Sequence, residues 1–109
     1  MADPLPGSEP ETEMSAAVAV VHNAQAHRFE AEVDGRLARC DYRLQEGVMH
    51  LVHTEVPPAL EGRGIGAALV RAALEHASAE GLRVRPMCSF ASAYLARHPR
   101  LQHHPRRRR

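Results

Sequence analysis

Apolar and polar positions alternate with a period of two through Arg28-Phe29-Glu30-Ala31-Glu32-Val33, so Phe29, Ala31 and Val33 share one face of an extended strand. Asp34-Gly35 follows, a pair suited to the two positive φ values of a tight hairpin. The alternation then resumes, with Ala38, Cys40, Tyr42 and Leu44 directed at the core and Arg39, Asp41 and Arg43 at water. Glu46-Gly47 turns the chain again, and residues 48–56 give the next strand. Upstream, the short β-branched run 17–23 reads as a first strand, separated from the second by only four residues. Downstream the period changes: Ile65, Leu69, Ala73 and Ala77 form one helical stripe with Arg71, Glu75 and Ser78 opposite. That helix runs from about residue 65 to 80, and Gly81 stops it as a C′ residue. Residues 82–87 make a fifth strand, parallel to the fourth because a helical crossover joins the two. Ser89 is placed to cap a last helix through Arg97, ended by His98-Pro99. The order β-β-β-β-α-β-α is an α+β arrangement, a mixed and mostly antiparallel sheet of about five strands with two helices.

Between the fourth strand and the long helix lies Val56-Pro57-Pro58-Ala59-Leu60-Glu61-Gly62-Arg63-Gly64-Ile65-Gly66-Ala67. Glycines at 62, 64 and 66 let backbone N–H groups converge, and the following helix adds its unpaired first-turn donors. Such a turn holds an anion, and a pyrophosphate fits it. A nucleotide P-loop is excluded, because Ala67 and Ala68 follow the last glycine and the chain contains no lysine. Gly62-x-Gly64-x-x-Ala67 meets a loose dinucleotide fingerprint, but no Asp or Glu occurs after Glu80 to bind the ribose.

The remaining reading is a CoA pyrophosphate turn. Gly64-x-Gly66 resembles the glycine motif of the Gcn5-related N-acetyltransferases (GNAT), with Glu61 where that motif carries Gln or Arg. His53-Thr54-Glu55-Val56-Pro57, residues 61–70, Pro86-Met87-Cys88-Ser89-Phe90 and Tyr94-Leu95-x-x-His98-Pro99 resemble in order the very small YjdJ-type branch, over about half the chain. The resemblance implies a minimal GNAT-like fold that binds acetyl-CoA and transfers its acetyl group to an amine. It also implies that the fourth and fifth strands splay apart to admit the pantetheine arm beside residues 53–56. Larger relatives place two helices between their first two strands over the acceptor; here four residues stand in that place. An open groove points to an exposed amine on a protein or a polyamine as acceptor. A non-catalytic acyl-CoA binding or sensing module is the alternative.

Charge divides the chain into an acidic head (1–15), a domain (16–99) and a basic tail (100–109). The tail carries five arginines, whereas in the domain nine acids meet nine arginines, so a basic face is not expected there and nucleic acid is an unlikely partner. Two cysteines are too few for a disulfide scaffold, no apolar run spans a membrane, and the start lacks a signal-peptide pattern. The expectation is a cytoplasmic monomer or weak homodimer with no metal site.

Candidate catalytic residues follow. His53 and Glu55 share one strand face, and either could take a proton from an amine, or simply be solvated. Tyr94 sits where larger relatives carry the tyrosine that protonates the departing thiolate, or else anchors its helix. Cys88 precedes a helix N-terminus that favours a thiolate, which makes it a candidate nucleophile as well as a candidate core residue. The cofactor-binding candidates are Val56, Glu61, Gly62, Arg63, Gly64, Ile65, Gly66, Ala67, Arg97 and His98.

Overall fold

The computed structural model describes residues 18–98; the acidic head and basic tail lie outside them. One sheet has the order β1-β2-β3-β4-β5, from β1 (Val21–Asn23), β2 (Arg28–Val33), β3 (Arg36–Gln45), β4 (Val48–Glu55) and β5 (Arg83–Pro86). Helix α1 (Ile65–Ala79) joins β4 to β5, and α2 (Ser89–Arg97) follows β5. The first three junctions are antiparallel and the last is parallel, as the crossover requires.

Local chemistry sets these elements. Asp34 and Gly35 hold φ of 53° and 75°, and Glu46 and Gly47 hold 52° and 79°, so both hairpins close on two residues and fix the register of β3 against each neighbour. Helix α1 ends in a Schellman motif about Gly81 (φ 71°), whose N–H bonds the Ser78 carbonyl while Leu82 N–H reaches back to Ala77. Both helices pack on one face of the sheet. Phe29, Ala31, Cys40, Tyr42, Met49 and Leu51 from the strands meet Leu69, Val70, Ala73 and Leu74 of α1 and Ala91, Tyr94 and Leu95 of α2.

Three expectations are corrected. The first strand pairs only from Val21; Val18 and Val20 leave the ladder to pack against the core. Leu44 is 51% exposed rather than buried, because β3 outruns β2, whose last pair is Arg28 with Asp41. Ser89 does not cap α2: Cys88 holds the cap position with extended backbone, and its carbonyl accepts the first helical bond from Ser92 N–H at 3.0 Å.

The opposite face of the sheet carries charge. Arg28 pairs with Glu30 at 2.6 Å, and Arg39 reaches both Asp41 and Glu55 at 3.1 Å. Solvent screening leaves these partly exposed pairs a small part in the stability of the fold.

Candidate functional site

Strand β4 has neighbours on both sides only through its first half. Residues 48–51 pair with β5 on one side and β3 on the other, and Met87 N–H to the Leu51 carbonyl (2.8 Å) ends the β5 side. Pro86, the last residue of β5, has no N–H to offer, and two residues later the chain turns into α2. Beyond that point β3 still pairs with His53, Thr54 and Glu55, while β5 does not. The β5 side of β4 is therefore left open beside residues 52–55, where the resemblance places the opening between the two strands.

At the same place the register with β3 steps between Asp41 and Tyr42, leaving Val52 as the extra residue of a β-bulge. The bulge reverses the alternation. Met49 and Leu51 point at the helices before it; after it Thr54 does, and His53 and Glu55 point to the open face. Glu55 accepts from Arg39 at 3.1 Å and lies 3.4 Å from His53 Nε2.

The glycine turn comes next. Residues 58–60 make a single 3₁₀ turn pinned by buried Leu60, and Gly62 and Gly64 then take φ of 81° and 78°, a conformation that any side chain would strain. Gly64 caps α1 without a side-chain bond, and Ala68 N–H to the Gly64 carbonyl (3.0 Å) opens the helical ladder. The N–H groups of Ile65, Gly66 and Ala67 are thus first-turn donors with no intrahelical acceptor. Gly66 has a second reason to be glycine: its position is helical, and a Cβ there would stand 2.7 Å from the Phe90 ring of α2. The missing side chain permits helix packing.

Between the splayed strand and this turn lies a groove of about 440 Å³, within the range of small-molecule sites. Its walls are Thr54, Glu55 and Val56 from the β4 side, Leu60, Glu61, Gly62 and Gly64 from the turn, Ile65, Gly66 and Ala67 from α1, and Phe90 from α2. Eight of the residues singled out from sequence line it. Arg63 does not; it donates to Asp34 in the β2–β3 hairpin at 2.9 Å. Arg97 and His98 are exposed at the far end of α2. Arg71 of α1 has its pKa raised by Glu75 first and by the nearby Tyr94 hydroxyl second, and the Tyr94 ring lies against His98 with centroids 4.3 Å apart. That geometry supports the anchoring reading of Tyr94.

Thr54, Leu60 and Phe90 are groove residues that the candidate set omitted. Thr54 has further contacts: its hydroxyl lies 3.4 Å from Cys88 Sγ and 3.7 Å from Cys40 Sγ. The two thiols differ. Cys40 is fully buried and its pKa is pushed up to about 11, chiefly by burial, whereas Cys88 is half-buried at the start of α2. Strict alternation from Leu51 would have turned Thr54 outward; only the bulge brings it to the thiols.

Comparison with known proteins agrees with this geometry. Residues 28–104 match the family described as GCN5-related N-acetyl-transferase. Protein NATD1 of Mus musculus is 30% identical over 90 residues, covering 80% of this chain and 82% of its own. The Homo sapiens protein of the same name is 29% identical over 90 residues, covering 80% of each chain. The solution structure of a GCN5-like protein from Staphylococcus aureus superposes with a TM-score of 0.63 at 29% identity, covering 77% of this chain and 83% of that one.

Proposed function

Because the chain belongs to the GCN5-related N-acetyltransferase family, we propose that it moves an acetyl group from acetyl-CoA to an amine, as a small member of the YjdJ-type branch. One observation carries the reading: the half of β4 that lacks a β5 partner runs straight into a glycine turn at a helix N-terminus. Acetyl-CoA supplies an acyl group activated as a thioester. The N–H groups of Ile65, Gly66 and Ala67, at the positive end of α1, hold the pyrophosphate; with no lysine in the chain and Arg63 engaged by Asp34, backbone donors carry that task. The β5-side edge of residues 52–55 offers backbone donors and acceptors to the amide-bearing arm of CoA, as a strand would. On the open face, Glu55 or His53 takes the proton of the attacking amine.

Two routes serve the acetyl group. In the first, the amine attacks the thioester directly. In the second, Cys88 Sγ attacks, the carbon–sulfur bond to CoA breaks, CoA leaves as thiolate, and the amine then displaces Cys88, so that one thioester replaces another. A second reading, an acyl-CoA binding module without transfer, is favoured by the four-residue turn between β1 and β2, which leaves the acceptor side uncovered.

Calorimetry with CoA tests the site. Gly64→Val should remove binding, with Gly64→Ala weakening it, while circular dichroism reports the folded fraction; unchanged affinity in both variants would contradict the assignment. Thiolate release from acetyl-CoA that rises with added amine separates the enzyme from the binding module. Release at the wild-type rate in Cys88→Ser excludes the covalent route.

A further inference from the structure

Sequence balance of acids and arginines predicts no basic face, yet the open side of the sheet has one. Arg28, Arg39, Arg63 and Arg71 each have a carboxylate partner. Arg43 of β3, His50 of β4 and Arg85 of β5 are register partners in one row, on the face opposite Tyr42, Met49 and Val84. Arg83 follows one row on, opposite Val48. None of these three arginine side chains has an ion pair or hydrogen bond among the described residues. Asp41, the acid nearest in sequence to Arg43, shares this face but is engaged by Arg39 at 3.1 Å, and Glu46, exposed in the turn at the end of the sheet, pairs with none of them.

Adjacent strands lie about 4.8 Å apart, so the row sets the Arg43 and Arg85 guanidinium groups roughly 10 Å apart with the His50 imidazole between them. Like charges so spaced repel one another, and an anionic partner relieves the repulsion. The row is continuous with the candidate site. Along β4 the next outward position is bulged Val52, 36% exposed, beside Met87 at 56%, and then His53 and Glu55 at the mouth of the splay. Basic row, apolar step and proton-accepting pair thus follow one another along a single strand edge. From His50 to Glu55 is roughly 15 Å, the reach of about four residues of extended polypeptide.

We propose that the acceptor is an amine on an acidic polypeptide segment, whose carboxylates dock on Arg43, His50 and Arg85 about four residues from the amine that reaches Glu55 and His53. This rests on the acetyltransferase reading given above. It chooses between the acceptor classes expected from sequence: a polyamine is repelled by the row, and an acidic polypeptide is attracted.

The test uses the full chain, a fluorescent lysine peptide with glutamates four residues from the lysine, the same peptide with glutamines, spermidine, and a short polyuridine strand. Fluorescence polarisation reads docking, and thiolate release from acetyl-CoA reads transfer. The acidic peptide should bind and be acetylated in preference to the glutamine peptide and spermidine. The double variant Arg43→Glu/Arg85→Glu should weaken its docking at least about tenfold and reverse the ranking, with the acetyl-CoA thermal shift unchanged. Added salt should weaken docking to the wild type and leave the variant indifferent. Docking unaffected by charge reversal, equal use of spermidine, or displacement of the peptide by polyuridine at lower concentration would overturn the proposal. If the acidic peptide docks through the row but no amine stimulates thiolate release, the acetyltransferase reading fails while the docking surface stands.

Discussion

The two halves of β4 share a backbone path and little else. Met49 and Leu51, in the first half, are fully buried and sit in a strand hydrogen-bonded on both sides. His53 to Glu55, in the second half, have β3 on one side only, and the bulged Val52 before them is 36% exposed. Their contrast marks out the candidate site: the ladder that stabilises the sheet is interrupted there, leaving the backbone edge with which the proposed ligand would pair. Pro86 withdraws the partner strand, and the bulge at Val52 re-aims the side chains that remain. The glycine turn then begins where the strand ends, so backbone edge and helix N-terminus belong to one groove.

This contrast is most sharply tested by a pair of truncations. Leu51→Ala should destabilise the chain by about 2–5 kcal/mol in urea denaturation, since it removes a fully buried side chain from the doubly paired half. Val52→Ala, one residue along, should cost no more than about 0.5 kcal/mol. Similar values for the two would break the distinction. Next in size is the contact behind the groove. Gly66→Ala should cost about 1–3 kcal/mol because its Cβ would stand 2.7 Å from the Phe90 ring. Adding Phe90→Leu to that variant should recover part of the loss; a double variant showing the plain sum of the single effects would mean the ring does not set the requirement for glycine.

The smallest effect concerns the thiols that Thr54 separates. With its pKa at about 11, Cys40 is almost wholly protonated at pH 8, and it is buried besides, so folded protein should take up alkylating reagent at Cys88 alone. The sign follows from burial disfavouring the thiolate: labelling of Cys40 should appear only as pH approaches 11 or as the chain unfolds in urea, where both cysteines react. Mass spectrometry showing Cys40 modified at the rate of Cys88 in folded protein would contradict the placement.

Features set by near neighbours in sequence were legible there. The Asp34-Gly35 and Glu46-Gly47 turns, the α1 stripe and the Gly81 stop each depend on a few consecutive residues, and each is where the pattern put it. The glycine turn belonged to this class too, since Gly62 and Gly64 need only their own φ values. What escaped depends on where one strand ends beside another. Leu44 is exposed because β2 stops short of it, and Thr54 turns inward because of an extra residue in β4 that no alternation reveals. The role of Gly66 required knowing that Phe90, far off in sequence, packs over it. The basic row was hidden by charge balance: Arg43, His50 and Arg85 come from three strands, and only the register sets them side by side.

Amide chemical shifts during an acetyl-CoA titration of the full chain test the central claim directly, that the unpaired half of β4 and the glycine turn together form one binding site. The largest shifts should fall on Val52 to Val56 and on Gly62 to Ala68, saturating together, with the amides of β1 and β2 undisturbed. No saturable shifts, or shifts centred on β1 and β2 with the glycine turn unmoved, would contradict it.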